Sequence, residues 1–266
     1  MSKLLIINAD DFGLCEEIST GIIRAHTQGV VTSTSVVANG RYFEQGVSLL
    51  RESGLDAGIH LTFVDGEKPV SGPVDGLVDE NGLFLQGYKQ VIAKILTGRF
   101  DRQAFKRELY DQMYRLMDAG ITVTHIDSHQ HLHLLPNVRN IVTQLAEQFK
   151  VNWIRLPRSD VLNIWRLGMN VLSSRLKSRM RRENLNFTDR NLGFRYGGRL
   201  NEARLLSLLK GLRSGITELM VHPGYDATGK YGWEYCWEDE LTAVTSEKVK
   251  AFIQDNRIEL TDYAKI

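Results

Sequence analysis

Two adjacent aspartates, Asp10 and Asp11, end an apolar run near the start of the chain, in the stretch IINADDFG. Adjacent carboxylates repel each other and each loses hydration when sheltered, so both stay ionised only beside a cation. A divalent metal would supply that cation, because one aspartate could bind it while the other remains a base beside a metal-bound water. Alternatively, the two acids cap a helix that begins near Leu14. For these two residues alone, metal binding and helix capping are equally supported.

The positions of the histidines favour the metal-binding interpretation of the two aspartates. His26 falls on a predicted helix, whereas the other six lie at or just beyond the ends of predicted strands: His60, His125, His129, His131, His133 and His222. Imidazole nitrogen and carboxylate oxygen together suit Zn²⁺, with Mn, Co, Ni or Mg as other occupants.

The segment HIDSHQHLH holds more donors than one ion needs. Its four histidines and Asp127 share one parity, so an unbroken strand would direct all of them to one face. Some must therefore stand behind the ligands, where Asp127 or a spare histidine such as His125 can hydrogen-bond to the second nitrogen of a metal-bound imidazole. A solvated histidine-rich loop is the alternative.

The elements that would position these residues alternate between strand and helix, the rhythm of right-handed βαβ units. Apolar or β-branched runs predict strands at residues 3–8, 31–39, 57–63, 122–127, 153–157, 218–222 and 258–260, with a weaker one near Phe194. Helical spacing predicts helices at residues 16–28, 43–53, 101–119, 136–149, 160–182, 201–213 and 239–256. This alternation predicts a (β/α) barrel of about seven strands, whose active site lies at the carboxyl ends of the strands.

The chain length fits a single domain over residues 1–266 with one insertion around residues 64–100. Within it, Pro69, Pro73 and the Asn81-Gly82 turn signal predict an inserted loop or small hairpin over residues 64–86, which is a candidate lid.

Charge and composition exclude several classes of protein. Lys and Arg number 33 against 32 Asp and Glu, for a formal net charge of +1, so no global field favours nucleic acid. Cys15 and Cys236 are too few for a disulfide framework, which fits a reducing compartment. The sequence shows neither a signal-peptide profile nor a membrane span, so we expect a cytoplasmic protein. The sequence leaves open whether the chain forms a homodimer.

Four motifs occur in order over nearly the whole chain: NADDFG, GIH, THIDSHQHLHLLP and MVHPGY. They resemble those of the YdjC-like carbohydrate deacetylases, the group that includes chito-oligosaccharide deacetylase and hopanoid-associated relatives. The resemblance implies a distorted (β/α) barrel related to polysaccharide deacetylases. It also implies a divalent metal, magnesium or zinc, held by one aspartate and two histidines.

Carried onto this sequence, the resemblance implies that Asp11, His60 and His129 are the metal ligands. It implies Asp10 as the catalytic base and His222 as the general acid. Arg155, in WIRLP, is similar to an arginine that orients the base in the wider superfamily.

We therefore expect a metal-dependent carbohydrate deacetylase, a hydrolase that removes an N-acetyl group from an acetylated mono- or oligosaccharide and releases acetate. Three alternatives remain. Two histidines and one carboxylate also form the site of non-haem Fe(II) oxygenases, and the same rim holds enough Asp and His for a two-metal phosphoesterase. The third is a metal-containing sugar-binding protein without turnover.

Overall fold

The strands form one curled parallel sheet in the computed structural model, which describes residues 2–158 and 164–266. Within those residues, the strands are β1 (Lys3–Phe12), β2 (Ser33–Val36), β3 (Asp56–Leu61), β4 (Val123–Ser128), β5 (Trp153–Ile154), β6 (Arg190–Leu192), β7 (Gly215–Val221) and β8 (Ile258–Leu260). Seven follow the order β5-β4-β3-β2-β1-β7-β6, and β8 pairs with the first residues of β1.

Helices cover the outside of this sheet. They are α1 (Glu16–Thr27), α2 (Phe43–Ser53), α3 (Tyr88–Thr97), α4 (Arg102–Asp118), α5 (Pro136–Phe149), α6 (Ile164–Arg182), α7 (Glu202–Lys210), α8 (Trp237–Thr245) and α9 (Glu247–Asp255). Because β1 is covered on both faces, nearly all of its side chains are buried, which explains its continuous apolar run. Of the helices in the described ranges, none is long and apolar enough to cross a membrane.

The sheet nearly closes into a barrel. Its outer strands are β5 and β6, and the segment that leads into β6 reaches β5 through Asn186. The backbone N–H of Ile154 donates to Asn186 O (3.1 Å), and the N–H of Asn186 donates to Asn152 O (2.7 Å). The predicted distorted (β/α) barrel is confirmed, and the weak strand signal near Phe194 corresponds to β6.

The helix predicted over residues 239–256 is wrong, because two helices occupy it. Ser246 has an extended backbone (φ −63°, ψ 129°), which ends α8. Its side chain then accepts a hydrogen bond from the N–H of Val249 and caps α9. Helix α3 was also not predicted. The start of the long helix predicted from Asp160 lies outside the described residues.

The insertion contains the predicted hairpin and is held to the barrel by buried polar contacts. Val78 pairs with Phe84 in antiparallel fashion around Asn81-Gly82. The carboxylate of Glu108, fully buried on α4, accepts hydrogen bonds from the N–H groups of Val70 (3.0 Å) and Ser71 (2.7 Å). These contacts fix the insertion beside the carboxyl end of β3.

Glu108→Ala should therefore loosen the insertion. The change leaves partly buried N–H groups of the insertion without their acceptor, so we expect the free energy of unfolding to fall by about 1–3 kcal/mol. Urea unfolding with a matched control, Glu80→Ala at an exposed position of the same insertion, measures the effect. Equal unfolding midpoints for the two variants would contradict the proposed anchoring.

Candidate metal centre and active site

A bulge at the end of β1 positions the two adjacent aspartates. Ala9 lies opposite Thr34 and Phe12 opposite Val36, so β1 contains one residue more than β2 over this stretch. Asp11 has a left-handed backbone (φ 77°), a conformation that aspartate adopts more readily than most residues. The bulge lets neighbouring carboxylates, both buried, reach different partners.

Asp11, His60 and His129 converge on one point, and their ligand atoms lie within 4.8 Å of one another. Oδ1 of Asp11 is 2.9 Å from Nδ1 of His129 and 3.4 Å from Nε2 of His60. Its other oxygen, Oδ2, has no hydrogen-bond partner among the described residues. One carboxylate and two imidazoles suit a divalent metal, and the free oxygen fits that interpretation.

Each of the two histidines has a second carboxylate on its far nitrogen. Nδ1 of His60 is 2.6 Å from Oδ1 of Asp127, and Nε2 of His129 is 3.2 Å from Oδ2 of Asp65. Such contacts orient a metal-binding imidazole and fix which nitrogen faces the ion. The position of Asp127 agrees with the sequence-based expectation. The sequence analysis did not identify Asp65 as a partner of a histidine. Its place just beyond the predicted strand that ends GIHLTF could have indicated that it lies at the same rim.

Without an ion, this cluster is an imidazolium-carboxylate network. Burial alone would lower the pKa of His60, but the charge of Asp127 and the hydrogen bonds to Asp11 and Asp127 raise it to about 10. Burial opposes the charge of Asp11 at His129 too, yet the pKa of His129 rises to about 9. Burial would raise the pKa of Asp11, but the two histidines hold it well below its usual value.

Arg155 lies directly after β5 and holds Asp10 in place. The guanidinium donates from NH1 to Oδ2 (2.6 Å) and from NH2 to Oδ1 (2.7 Å) of Asp10. It also contacts Asp127 and Glu218, each at 2.6 Å. Asn8 donates a further hydrogen bond to Asp10 (2.8 Å). This arrangement fixes the Asp10 carboxylate in a geometry suited to a positioned base.

A second group of possible metal ligands, Asp10, His60 and Asp127, overlaps the first. NH1 of Arg155 already lies between the two carboxylates of this group, 2.6 Å from Oδ2 of each. A metal ion there would be repelled by the guanidinium, so Asp11, His60 and His129 form the better site.

His222 reaches the same rim from the neighbouring strand. Ala9 on β1 lies opposite Val221 on β7, so the next residues, Asp10 and His222, are level at the carboxyl end of the sheet. Nδ1 of His222 is 3.9 Å from Oε2 of Glu240 and has no hydrogen-bond partner among the described residues. A buried acid beside this imidazole, Glu240, was not identified from the sequence.

His125 lies behind the centre, inside the barrel. Its Nε2 is 3.1 Å from Oγ of Ser35, which donates to Oδ2 of Asp127 (2.8 Å), so it reaches the centre only through these two side chains. Its ring stacks on Tyr263 at 4.1 Å, and a Cβ at Gly58 would lie 2.4 Å from ring atoms. Burial lowers the pKa of His125 to about 3, so the ring is neutral.

The strand does not continue through HIDSHQHLH, and its end agrees with the predicted strand over residues 122–127. β4 ends at Ser128, and residues 129–134 form a 3-10 segment in which Gln130 and His131 are left-handed. The turn sends His131 towards Phe194 and lets His133 contact Ser128 and the carbonyl of Arg155. Shared parity therefore does not place these two histidines in the centre.

An aromatic segment after β7 covers the rim. Alternate residues of YGWEYCW point inward and contact one another: Tyr231, Trp233, Tyr235 and Trp237. The ring of Trp233 is 5.6 Å from that of His129, and Tyr235 is 4.7 Å from His222. These rings limit the access of water to the centre and offer apolar faces to a ligand.

Metal binding should release protons. Imidazolium groups with pKa values of about 10 and 9 are charged at pH 7 and must lose their protons to bind an ion. The apparent affinity should therefore rise with pH by about 100-fold per unit below pH 9, with about two protons released per ion.

Titration calorimetry with Zn²⁺ at pH 7, in buffers of different ionisation enthalpy, measures the proton count. His60→Gln should release about one proton fewer, whereas His26→Gln, on α1 and outside the centre, should match the unchanged chain. Heats that do not depend on the buffer would contradict the charged state inferred for the two histidines.

The chain is similar in sequence to known proteins over nearly its whole length. The family model described as "YdjC-like protein" matches residues 4–255. A "Carbohydrate deacetylase" of Brevibacillus brevis is 33% identical over 98% of this chain and 99% of its own length. A "Chitooligosaccharide deacetylase" of Salmonella paratyphi B is 34% identical over 96% of each chain.

Solved structures share the fold. A protein from Enterococcus faecalis that is named for cellobiose-phosphate cleavage superposes with a TM-score of 0.82, at 28% identity over 100% of this chain and 99% of that one. A peptidoglycan N-acetylglucosamine deacetylase superposes with a TM-score of 0.52 at 10% identity, over 98% of this chain and 86% of its own, a likeness of fold alone. With a family model that covers nearly its whole length, this chain belongs to the YdjC-like family.

Proposed function

We propose that this chain is a metal-dependent carbohydrate deacetylase that hydrolyses the N-acetyl group of an acetylated sugar and releases acetate. One observation carries the proposal: Asp11, His60 and His129, which could together hold a metal ion, lie beside a second carboxylate, Asp10, that is held by a buried arginine. The relatives named as carbohydrate and chito-oligosaccharide deacetylases support the reaction and the sugar. We also propose that residues 1–266 act as one domain, since strands from both ends of the chain pair in one sheet.

Asp11, His60 and His129 would hold the divalent cation, for which we propose Zn²⁺ or Mg²⁺. When bound, the cation supplies Lewis-acid polarisation of the acetamide carbonyl and lowers the pKa of a water molecule. Asp127 and Asp65 keep the two imidazoles oriented.

Two further side chains would move protons. Asp10, fixed by Arg155, takes a proton from water as it attacks the carbonyl carbon. His222, level with Asp10 on the neighbouring strand, gives a proton to the departing nitrogen, without which the C–N bond would release a poor anionic leaving group. The aromatic cover limits the entry of other water molecules to this space.

The oxygenase alternative uses the same two histidines and one carboxylate but gives no role to Asp10 or His222. The ordered contacts of Asp10 with Arg155 and Asn8 favour hydrolysis. Oxygen consumption with Fe²⁺, in the absence of acetate release, would favour the oxygenase instead.

The direct test is acetate release from a panel of N-acetylated mono- and oligosaccharides. The protein is measured as purified, after metal stripping, and after separate addition of Zn²⁺ and Mg²⁺. We expect release from at least one sugar, its loss on stripping and its return with one of the two ions. No release from any sugar by protein shown to contain metal would overturn the proposal.

Asp10→Asn should separate proton transfer from metal binding. Because Asp10 is not among the three ligands, we expect the metal affinity to be kept and kcat to fall by about 10²–10⁴-fold.

Glu218→Gln is the matched control, since it also removes a negative charge from Arg155 but lies on β7, away from the rim. Its kcat should fall much less. An equal loss in both variants would assign the effect to the charge balance of Arg155 and remove Asp10 as the base.

A further inference from the structure

Glu67 is a buried carboxylate to which the reaction gives no role. It is 1% exposed, and neither of its oxygens has a hydrogen-bond partner among the described residues. Among the described residues it forms one ion pair, with Arg41, whose Nε is 3.7 Å from Oε1 of Glu67 and whose side chain is 61% exposed. Burial without close pairing raises the pKa of Glu67 to about 7. A carboxylate in this state lacks the hydrogen bonds that normally compensate its lost hydration.

Glu67 borders the metal centre. It stands two residues after Asp65, whose carboxylate contacts His129. The charges of Asp11 and His129 also act on the pKa of Glu67. The carboxylate therefore lies in the insertion at the point where the insertion meets the centre.

Arg41 connects Glu67 to the aromatic cover. Its guanidinium carbon is 5.9 Å from the centre of the Tyr231 ring. Tyr231 stacks on Trp233, with ring centres 5.0 Å apart and planes at 16°. Trp233 in turn lies 5.6 Å from the ring of His129. Glu67 and the aromatic pair thus occupy the same rim of the centre.

The two loops that carry these groups meet at Gln86. A Cβ at Gly66 would lie 2.3 Å from Nε2 of Gln86, and a Cβ at Gly232 would lie 3.8 Å from its Oε1. Gly66 has φ 83°, a left-handed conformation that favours glycine. The neighbours of Glu67 and of Tyr231 and Trp233 in the sequence, Gly66 and Gly232, thus both lie near the Gln86 side chain.

We propose that Glu67, Tyr231 and Trp233 form a subsite for a neutral sugar ring, in which Glu67 accepts hydrogen bonds from ring hydroxyl groups and the aromatic pair packs on an apolar ring face. The inference rests on the proposed function, which it extends to substrate selection. Above its pKa of about 7 the Glu67 carboxylate is ionised and only accepts hydrogen bonds, and sugar hydroxyls donate them. A phosphorylated or carboxylated sugar would bring a like charge towards Glu67 and Asp65, so the subsite selects against it.

The test measures kinetics of the metal-loaded protein on the N-acetylated disaccharide that it hydrolyses best, at a pH above the pKa of Glu67 so that its carboxylate is ionised. Glu67→Ala should raise KM by about 10–100-fold and leave kcat within about threefold, since a hydrogen bond to a charged group is lost without change to the reacting atoms. Glu67→Gln, which keeps one acceptor oxygen, should recover part of the loss. It should also improve kcat/KM on a phosphorylated form of the disaccharide. Glu80→Gln, at an exposed position of the same insertion, is the matched control.

Two further measurements separate the outcomes. Zn²⁺ affinity should be the same in Glu67→Ala as in the unchanged chain, and an affinity that falls together with kcat would assign Glu67 a structural role and overturn the subsite. Unchanged KM in both Glu67 variants, or a rise in KM only on a sugar with a free amine, would also overturn the subsite.

If the unchanged chain releases no acetate from any sugar, the proposed function fails. Disaccharide binding by calorimetry, compared between the Asp10→Asn variant and the Asp10→Asn, Glu67→Ala double variant, then tests the subsite alone, and equal affinities would overturn it.

Discussion

The buried guanidinium of Arg155 is the contact on which both the barrel and the site depend. It is 1% exposed and binds carboxylates from three strands: Asp10 on β1, Asp127 on β4 and Glu218 on β7. Burial would lower the pKa of Arg155, but these carboxylates hold it well above its usual value, so the charge is permanent. A buried permanent charge requires close partners, and removal of one leaves the others uncompensated. The barrel interior and the geometry of Asp10 are therefore specified together.

Around this contact, each imidazole of the centre faces a carboxylate at both of its nitrogens. His60 spans Asp11 and Asp127, and His129 spans Asp11 and Asp65. Asp11 thus joins two histidines whose outer partners come from β4 and from the insertion. A metal ion that replaces the shared protons would find ligands already oriented, so little conformational freedom would be lost on binding.

The sequence predicted the elements better than their junctions. Parallel strands share a direction, so their carboxyl ends lie on one rim, and the sequence could predict which residues lie there: Asp10, Asp11, His60, His129 and His222. The alternation of strands and helices was enough to predict the fold. The bulge at Asp11 and the 3-10 segment after Ser128 depend on backbone angles that residue parity does not encode. Glu218 was not predicted as a partner of Arg155, because one charge in a strand gives no sign of its distant partner.

The insertion connects the imidazole of His129 to the surrounding rim. One stretch between β3 and α3 supplies Asp65 to the imidazole of His129 and carries Glu67 beside it. The same stretch is anchored through Ser71 to the buried Glu108. A change in how the insertion packs would therefore alter the orientation of the His129 imidazole as well as the rim around it. The same anchored segment orients His129 and shapes the rim. The rim can therefore vary only in ways that keep His129 in place.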